Sequence, residues 1–277
     1  MKFVLTGGNG FIGQHLAEVL EKQGHAVNLL NRDMLSSIHD MTDELKKIAP
    51  DYIIHLAAYG NHFNQRDEAE TLNANIIKLF KLLKASESID YKGFINFSTS
   101  SVQLDVQTMY SATKAAGEHI CKAYAQKYNK PIISVRPASV FGEGEETFRF
   151  IPMVVHSLKS GQQMNLDKDA MHSWIYVGDF VNALIFIARN ITSTKLGEVI
   201  NISYGKEWSN LDIVKMLEEI EGKTLRFKET PNIRPYDSKH WFVDNLRLND
   251  MGWRTNYGIV RGLANTYKWY TNDGNNK

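Results

Sequence analysis

The chain has 277 residues, with 32 basic against 31 acidic side chains, 43% hydrophobic residues and one cysteine. At about 150 residues per domain, this length predicts one large domain or one with a smaller appendage, and a net charge of +1 gives no electrostatic footprint for nucleic acid or an anionic membrane. Cys121 alone excludes an intramolecular disulfide framework and cysteine-rich zinc modules; no apolar run approaches the ~20 residues that span a bilayer, and no signal peptide is legible, so a cytoplasmic globular protein is expected.

Along the first half, short aliphatic runs alternate with amphipathic segments. Lys2–Thr6 reads as a strand and Phe11–Gln23 as a helix, with Phe11, Ile12, Leu16, Val19 and Leu20 on one stripe and Gly24 ending it. Ala26–Leu30 is the second strand, Asp43–Ala49 a short helix stopped by Pro50, and Tyr52–Leu56 the third strand. A long helix over Glu68–Ser86 precedes strand Gly93–Ser98; helix Tyr110–Asn129 precedes strand Ile132–Val135. Strands separated by helices pair in parallel through right-handed crossovers, which predicts an α/β fold with a doubly wound parallel sheet of Rossmann type.

Beyond about residue 145 the alternation loosens. Helices are predicted at Phe150–Ser160 and Gly178–Asn190 and a strand near Glu198–Ile202. Ser209 and Asp212 open a capping pattern ahead of Leu211, Val214, Leu217 and Ile220. The polar tail, Asn256–Lys277, is expected to fray. Residues 1–165 are therefore assigned mainly to a dinucleotide-binding domain. Residues 166–277 form mainly a smaller substrate lobe, with about 174–202 returning to the first domain.

The run Thr6-Gly7-Gly8-Asn9-Gly10-Phe11-Ile12-Gly13 joins the first strand to the first helix. Gly7 permits a tight turn, Gly10 lets backbone approach a pyrophosphate, and Gly13 allows close helix–strand packing, with the N–H groups at Phe11 and Ile12 facing the phosphates. The second strand ends Leu30-Asn31-Arg32. A carboxylate there suits the ribose 2′-OH of NAD; an amide followed by a guanidinium suits a 2′-phosphate, so NADP(H) is favoured, with NAD(H) as the alternative through Asp33.

Tyr110 and Lys114 stand four apart, on one face of their helix. A neighbouring ammonium lowers a phenol's pKa, so such a tyrosine exchanges protons with a sugar hydroxyl or carbonyl near neutral pH. The run Phe97-Ser98-Thr99-Ser100-Ser101 follows the fourth strand, at the edge where open α/β sheets bind ligands.

These motifs, with His55-Leu56-Ala57-Ala58, Asn75, Arg136-Pro137, Trp174–Asp179, Asn201 and Met251-Gly252-Trp253, give the chain a resemblance to the extended short-chain dehydrogenase/reductases of the NAD-dependent epimerase/dehydratase family. The resemblance implies hydride transfer at C4 of nucleotide-activated sugars. It further implies Leu56, Ala57, Ala58, Asn75 and Pro137 against the cofactor, Asp40 and Met41 flanking its adenine, and Lys114 on the nicotinamide ribose. It makes Thr99 the catalytic hydroxyl with Ser100 as runner-up, and Thr99, Ser100 and Ser139 substrate contacts. Two arginines often hold the pyrophosphate in this family; one position is Arg234, and the other is His172 here. The expected partners are a nucleotide sugar and a second copy of the chain. The remaining histidines show no metal-ligand spacing, so no metal is expected.

Dehydratases of the family place an acidic pair directly after the catalytic Thr, where this chain has Ser100 and Ser101, and serine makes no useful general acid. The 3,5-epimerising reductases use a cysteine, whereas Cys121 reads as core filling. The sequence therefore favours an NADPH-dependent 4-ketoreductase, with an NAD-dependent 4-epimerase as the alternative. A non-catalytic NADP-binding regulator is the third reading, disfavoured by the retained Tyr110 and Lys114.

Overall fold

The computed structural model describes residues 1–62, 64–231 and 239–272, in two compact units. The first comprises Met1–Gln103, Gln107–Pro137 and Ala183–Asn201; the second comprises Leu104–Val106, Ala138–Asn182 and Ile202 onward. Apart from the short excursion at Leu104–Val106, the chain passes into the second unit at Ala138, ahead of the boundary near residue 165 that the loosening pattern suggests, and of the 174–202 segment Ala183–Asn201 returns.

In the first unit, β1 (Lys2–Thr6), α1 (Phe11–Lys22), β2 (Ala26–Leu30), α2 (Ile38–Ile48) and β3 (Tyr52–His55) are followed by α3 (Glu68–Leu72), a π-helical turn over Asn73–Ile77 and α4 (Lys78–Ser86). Then come β4 (Gly93–Phe97), α5 (Met109–Tyr128) and β5 (Ile132–Pro137). With β10 (Val199–Ile202) they build a six-stranded sheet ordered β10-β5-β4-β3-β1-β2, in which β2, β1, β3, β4 and β5 pair in parallel. β3 and β4 are buried along their whole length, the pattern of strands covered on both faces. Val4, Ile53, Phe94 and Ile132 from the strands pack with Leu45, Leu79, Leu82 and Cys121 from the helices. After β2 the chain crosses back to the other side of β1, so the carboxyl ends of β1 and β3 form a topological switch point.

Two helices differ from expectation. α2 starts at Ile38, ahead of the predicted Asp43, because the Ser37 hydroxyl accepts the Asp40 N–H at 3.2 Å and caps it. The predicted Glu68–Ser86 helix is interrupted by its π turn, a local widening common at functional sites.

The second unit contains β6 (Ser139–Phe141), α6 (Phe150–Ser160), β7 (Met164–Leu166), β8 (Met171–His172) and β9 (Trp174–Tyr176). After α7 (Val177–Arg189), which begins there, come β11 (Trp208–Ser209), α8 (Asn210–Glu221), β12 (Phe227–Glu229), β13 (His240–Trp241), α9 (Leu246–Asp250) and α10 (Gly258–Thr271). Its strands pair as β6–β9, β12–β7 and β11-β8-β13. The expectation of a frayed tail fails for α10, which buries Gly262, Leu263, Thr266 and Tyr267. No side chain of its own caps this helix. Asp179, wholly buried, does so from α7: it accepts the N–H groups of Asn256 at 2.7 Å, Tyr257 at 3.0 Å and Gly258 at 2.9 Å, with Tyr204 and Thr255 hydroxyls at 2.6 and 2.8 Å. A remote carboxylate thus satisfies the orphan donors that every helix start leaves.

Candidate active site

The glycine loop sits at the switch point. Gly7 has φ +70°, and a Cβ there would fall 2.7 Å from the Ala57 nitrogen; one on Gly13 would lie 2.4 Å from the Gly7 carbonyl oxygen. Side chains at either position would separate β1, β3 and α1. Gly10 donates to the Gly7 carbonyl at 3.1 Å, closing the turn. α1 has no side-chain cap and no acid in its first turn, so its leading N–H groups, at the half-buried Phe11 and Ile12, present an uncapped positive helix end. This cradle fits a pyrophosphate.

At the end of β2, Asn31 and Arg32 are exposed. The Asn31 Oδ1 accepts the Met34 N–H at 2.9 Å, fixing a turn that leaves Arg32 at the strand's edge. Asp40 is exposed in the first turn of α2. Met41 departs from expectation: its side chain is wholly buried among Leu45, Ile53 and Leu79, so it packs the core and does not flank an adenine.

Beyond β3, Leu56 and Ala57 are half-buried and Ala58 is exposed. The Thr6 hydroxyl, a residue the sequence reading did not single out, meets the His55 Nδ1 at 2.7 Å and accepts the Ala57 N–H at 3.3 Å, holding this loop against β1. Burial, and then the charge of Lys114, push His55 down to about 3, so it stays neutral. Asn75 also departs from expectation. It is 2% exposed, donates to the Tyr59 carbonyl at 2.9 Å and to the Thr113 hydroxyl at 3.0 Å, and accepts the Tyr59 N–H at 3.0 Å. Its amide clamps the loop after β3 and is not offered to a cofactor.

Thr108 caps α5 through a reciprocal box with Ser111, which sets Tyr110 in the helix's first turn. Tyr110 is half-buried; Lys114, one turn on, is 4% exposed, and desolvation lowers it from 10.5 to about 8 although Cys121 and Glu118 act to raise it. Past β4, Thr99 is half-buried and its Oγ1 lies 3.0 Å from the Ser101 hydroxyl, whereas Ser100 is 4% exposed and turned into the fold. Ser98 donates to Glu118, a buried carboxylate that the sequence reading also passed over. Its signal was the spacing: Glu118 stands one turn beyond Lys114. Cys121 is buried and its thiol is pushed up to about 12 by burial, which removes it as an acid/base.

The model of the NAD dependent epimerase/dehydratase family matches residues 3–203. The chain belongs to this family. It is 23% identical to the dTDP-D-glucose 4,6-dehydratase of Dictyostelium discoideum over 99% of this chain and 82% of that protein. The UDP-glucose 4-epimerase of Thermotoga maritima, solved with UDP-glucose, matches with TM-score 0.86 and 22% identity over 98% of each chain. The UDP-glucose 4-epimerase of Thermus thermophilus, solved with NAD, matches with TM-score 0.84 and 21% identity over 99% of this chain and 100% of the other. The structural likenesses establish the Rossmann-like fold.

The other predicted positions of this family member divide between the units. Pro137 is half-buried at the end of β5 in the first. Ser139 lies half-buried in β6 of the second, its N–H bonded to the Ser173 carbonyl at 3.0 Å. His172, in β8, is flanked by Trp174 at 5.7 Å and Trp241 at 5.9 Å between ring centres, so its imidazole has an aromatic setting. Arg234 lies outside the described residues. Among the described residues no helix is long and apolar enough to cross a membrane, and no group of three or more His, Cys, Asp or Glu could hold a metal.

Proposed function

We propose that this chain is an NADPH-dependent reductase acting at C4 of a nucleotide-activated 4-keto-6-deoxy sugar. One observation carries the reading: α5 presents Tyr110 and a buried, weakly basic Lys114 on one face, beside a β4 end whose accessible hydroxyl, Thr99, is followed by serines where elimination would need acids. The relatives' names span dehydration and epimerisation of nucleotide sugars, and the missing acids weigh against the first.

Gly7, Gly10, Phe11 and Ile12 would hold the pyrophosphate of the dinucleotide, Leu56, Ala57, Ala58 and Pro137 its body, and Arg32 its 2′-phosphate; Asp40 would stand near the adenine. When bound, the reduced nicotinamide supplies a hydride to the sugar carbon. Tyr110 then delivers its phenolic proton to the carbonyl oxygen, and Thr99 donates a hydrogen bond to that same oxygen as charge builds on it. Lys114, mostly charged at pH 7, lowers the phenol's pKa and donates to the nicotinamide ribose. Ser139, His172 and Arg234 are the proposed sugar and nucleotide contacts; Ser100, turned into the fold, is not among them.

A 4-epimerase that keeps NAD through its cycle is the second reading, favoured by Asp33: it is exposed one residue past Arg32, and its side chain caps nothing, which leaves a carboxylate for a ribose 2′-OH. Assaying bound cofactor and sugar together separates the two. A reductase consumes stoichiometric NADPH and yields a 4-hydroxy sugar, whereas an epimerase purifies with NAD and interconverts two 4-hydroxy sugars without net consumption. A cytoplasmic homodimer accompanies the proposal. Leu72, Ile77 and Phe80 leave an apolar row 43%, 46% and 42% exposed along α3, the π turn and α4, a surface for a second copy that light scattering would detect.

A further inference from the structure

A charged cluster joins the three elements that carry the proposed chemistry. Glu118, on α5, is 6% exposed. Its Oε1 accepts the Arg136 Nε–H at 2.7 Å, its Oε2 accepts the second arm of the same guanidinium at 2.6 Å, and the Ser98 hydroxyl donates to Oε1. Arg136 belongs to β5 and Ser98 follows β4 immediately before Thr99. One carboxylate therefore ties the helix of Tyr110 and Lys114 to the strand end of Thr99 and to the strand leading into Pro137. A buried carboxylate is costly to desolvate even when paired, and such an ion pair is weak evidence for stability, so its presence in this position asks for another reason.

We propose that Glu118 is a positioning residue for the catalytic set, fixing the Thr99-bearing end of β4 through Ser98 and acting as the anchored negative charge that keeps the Lys114 ammonium protonated. Glu118 and Lys114 stand four apart on α5, so their side chains share a face. Along its own helix Cys121 and Glu118 act on Lys114, and Tyr110 stands one turn before it on the same face; from β3 the facing group is His55, which is neutral. Cys121 carries its proton far above neutral pH, pushed there by burial. Glu118 is the carboxylate that acts on Lys114, and Arg136 holds both of its oxygens. Desolvation drives Lys114 towards its neutral form. Without an opposing carboxylate the ammonium would be lost at lower pH, and with it the influence on the phenol.

The inference rests on the proposed role of Lys114 and is tested without knowledge of the sugar. Affinity for NADPH and for NADH is measured by fluorescence titration from pH 6.5 to 9.5 in the wild type, Lys114→Met, Glu118→Gln and Arg136→Gln proteins. The wild type is expected to lose affinity as Lys114 deprotonates, and Lys114→Met to lack that limb. In Glu118→Gln, which keeps polar contacts to Ser98 and Arg136 but removes the charge, the limb moves to lower pH by about half a unit or more. In Arg136→Gln, which leaves the carboxylate uncompensated, it moves to higher pH. A role confined to packing lowers stability and moves neither limb. A limb at the wild-type pH in Glu118→Gln overturns the inference and leaves the role of Lys114 standing; should that variant not fold, an unmoved limb in Arg136→Gln does the same. A limb that persists in Lys114→Met overturns both.

Discussion

Asn75 donates to the Thr113 hydroxyl at 3.0 Å, and that hydroxyl donates in turn to the Tyr110 carbonyl at 2.9 Å. The π-helical turn that follows α3 is thereby linked to the backbone of the proposed proton donor, while the same amide closes on both polar groups of the Tyr59 backbone. Asn75→Ala strands these partners in a buried setting and should cost about 1–3 kcal/mol of stability. Turnover should fall further than substrate affinity, since Tyr110 loses its support. An unchanged urea midpoint would contradict the arrangement.

Lys114 sets stability against function. Its fall from 10.5 to about 8 corresponds to about 3 kcal/mol of disfavoured charging in the folded chain. Between pH 8 and 10.5 the unfolded lysine binds a proton that the folded one does not, so stability contributed at this site rises with pH across that window. Lys114→Met should raise the melting temperature at pH 7, flatten this alkaline rise and abolish turnover. A variant that melts lower than the wild type at pH 7 would refute the burial argument.

Asp179 should dominate acid unfolding of the second unit. Burial alone would raise it, but hydrogen bonds from Tyr204, Thr255 and the Gly258 and Asn256 amides hold it below the ordinary 3.8. Its contribution is complete above the unfolded value and disappears as pH falls through the lower folded value. Asp179→Ala should lose about 3 kcal/mol or more at pH 7, because several donors lose their acceptor together, and its stability should depend less on pH in the acid range. Equal acid sensitivity of the two proteins would show that other carboxylates govern the transition.

Arg32 is the proposed determinant of cofactor choice. Arg32→Ala should weaken NADPH binding by about 1–3 kcal/mol, the size of a charged hydrogen bond, and leave NADH almost unaffected. Equal affinity of the wild type for the two cofactors would remove the 2′-phosphate contact from the account.

The first unit was legible because its signals are local and repeated. Strands of four to six residues alternate with helices of a turn or more, and the glycines of Thr6–Gly13 have one geometric explanation between β1 and α1. The second unit was not, since several of its strands are two or three residues long and too short to show a period of two. The cap of α10 was invisible for a different reason: Asp179 is 79 positions from Gly258. Met41 and Asn75 illustrate a third limit. A motif position shows which residue stands near a site, but only the packing shows that Met41 fills the core and that Asn75 spends its amide on Tyr59 and Thr113.

The central claim is hydride transfer to C4 with Tyr110 as proton donor, and one isotope experiment tests it directly. NADPH carrying deuterium at C4 of the nicotinamide is incubated with a nucleotide-linked 4-keto-6-deoxy sugar and either the wild type or Tyr110→Phe, and the product is read by mass spectrometry and NMR. The account predicts one deuterium at the sugar C4 per NADPH consumed, and a rate lowered by about 10²–10⁴ in Tyr110→Phe. Deuterium found at another carbon, or a Tyr110→Phe protein that turns over at the wild-type rate, would contradict it.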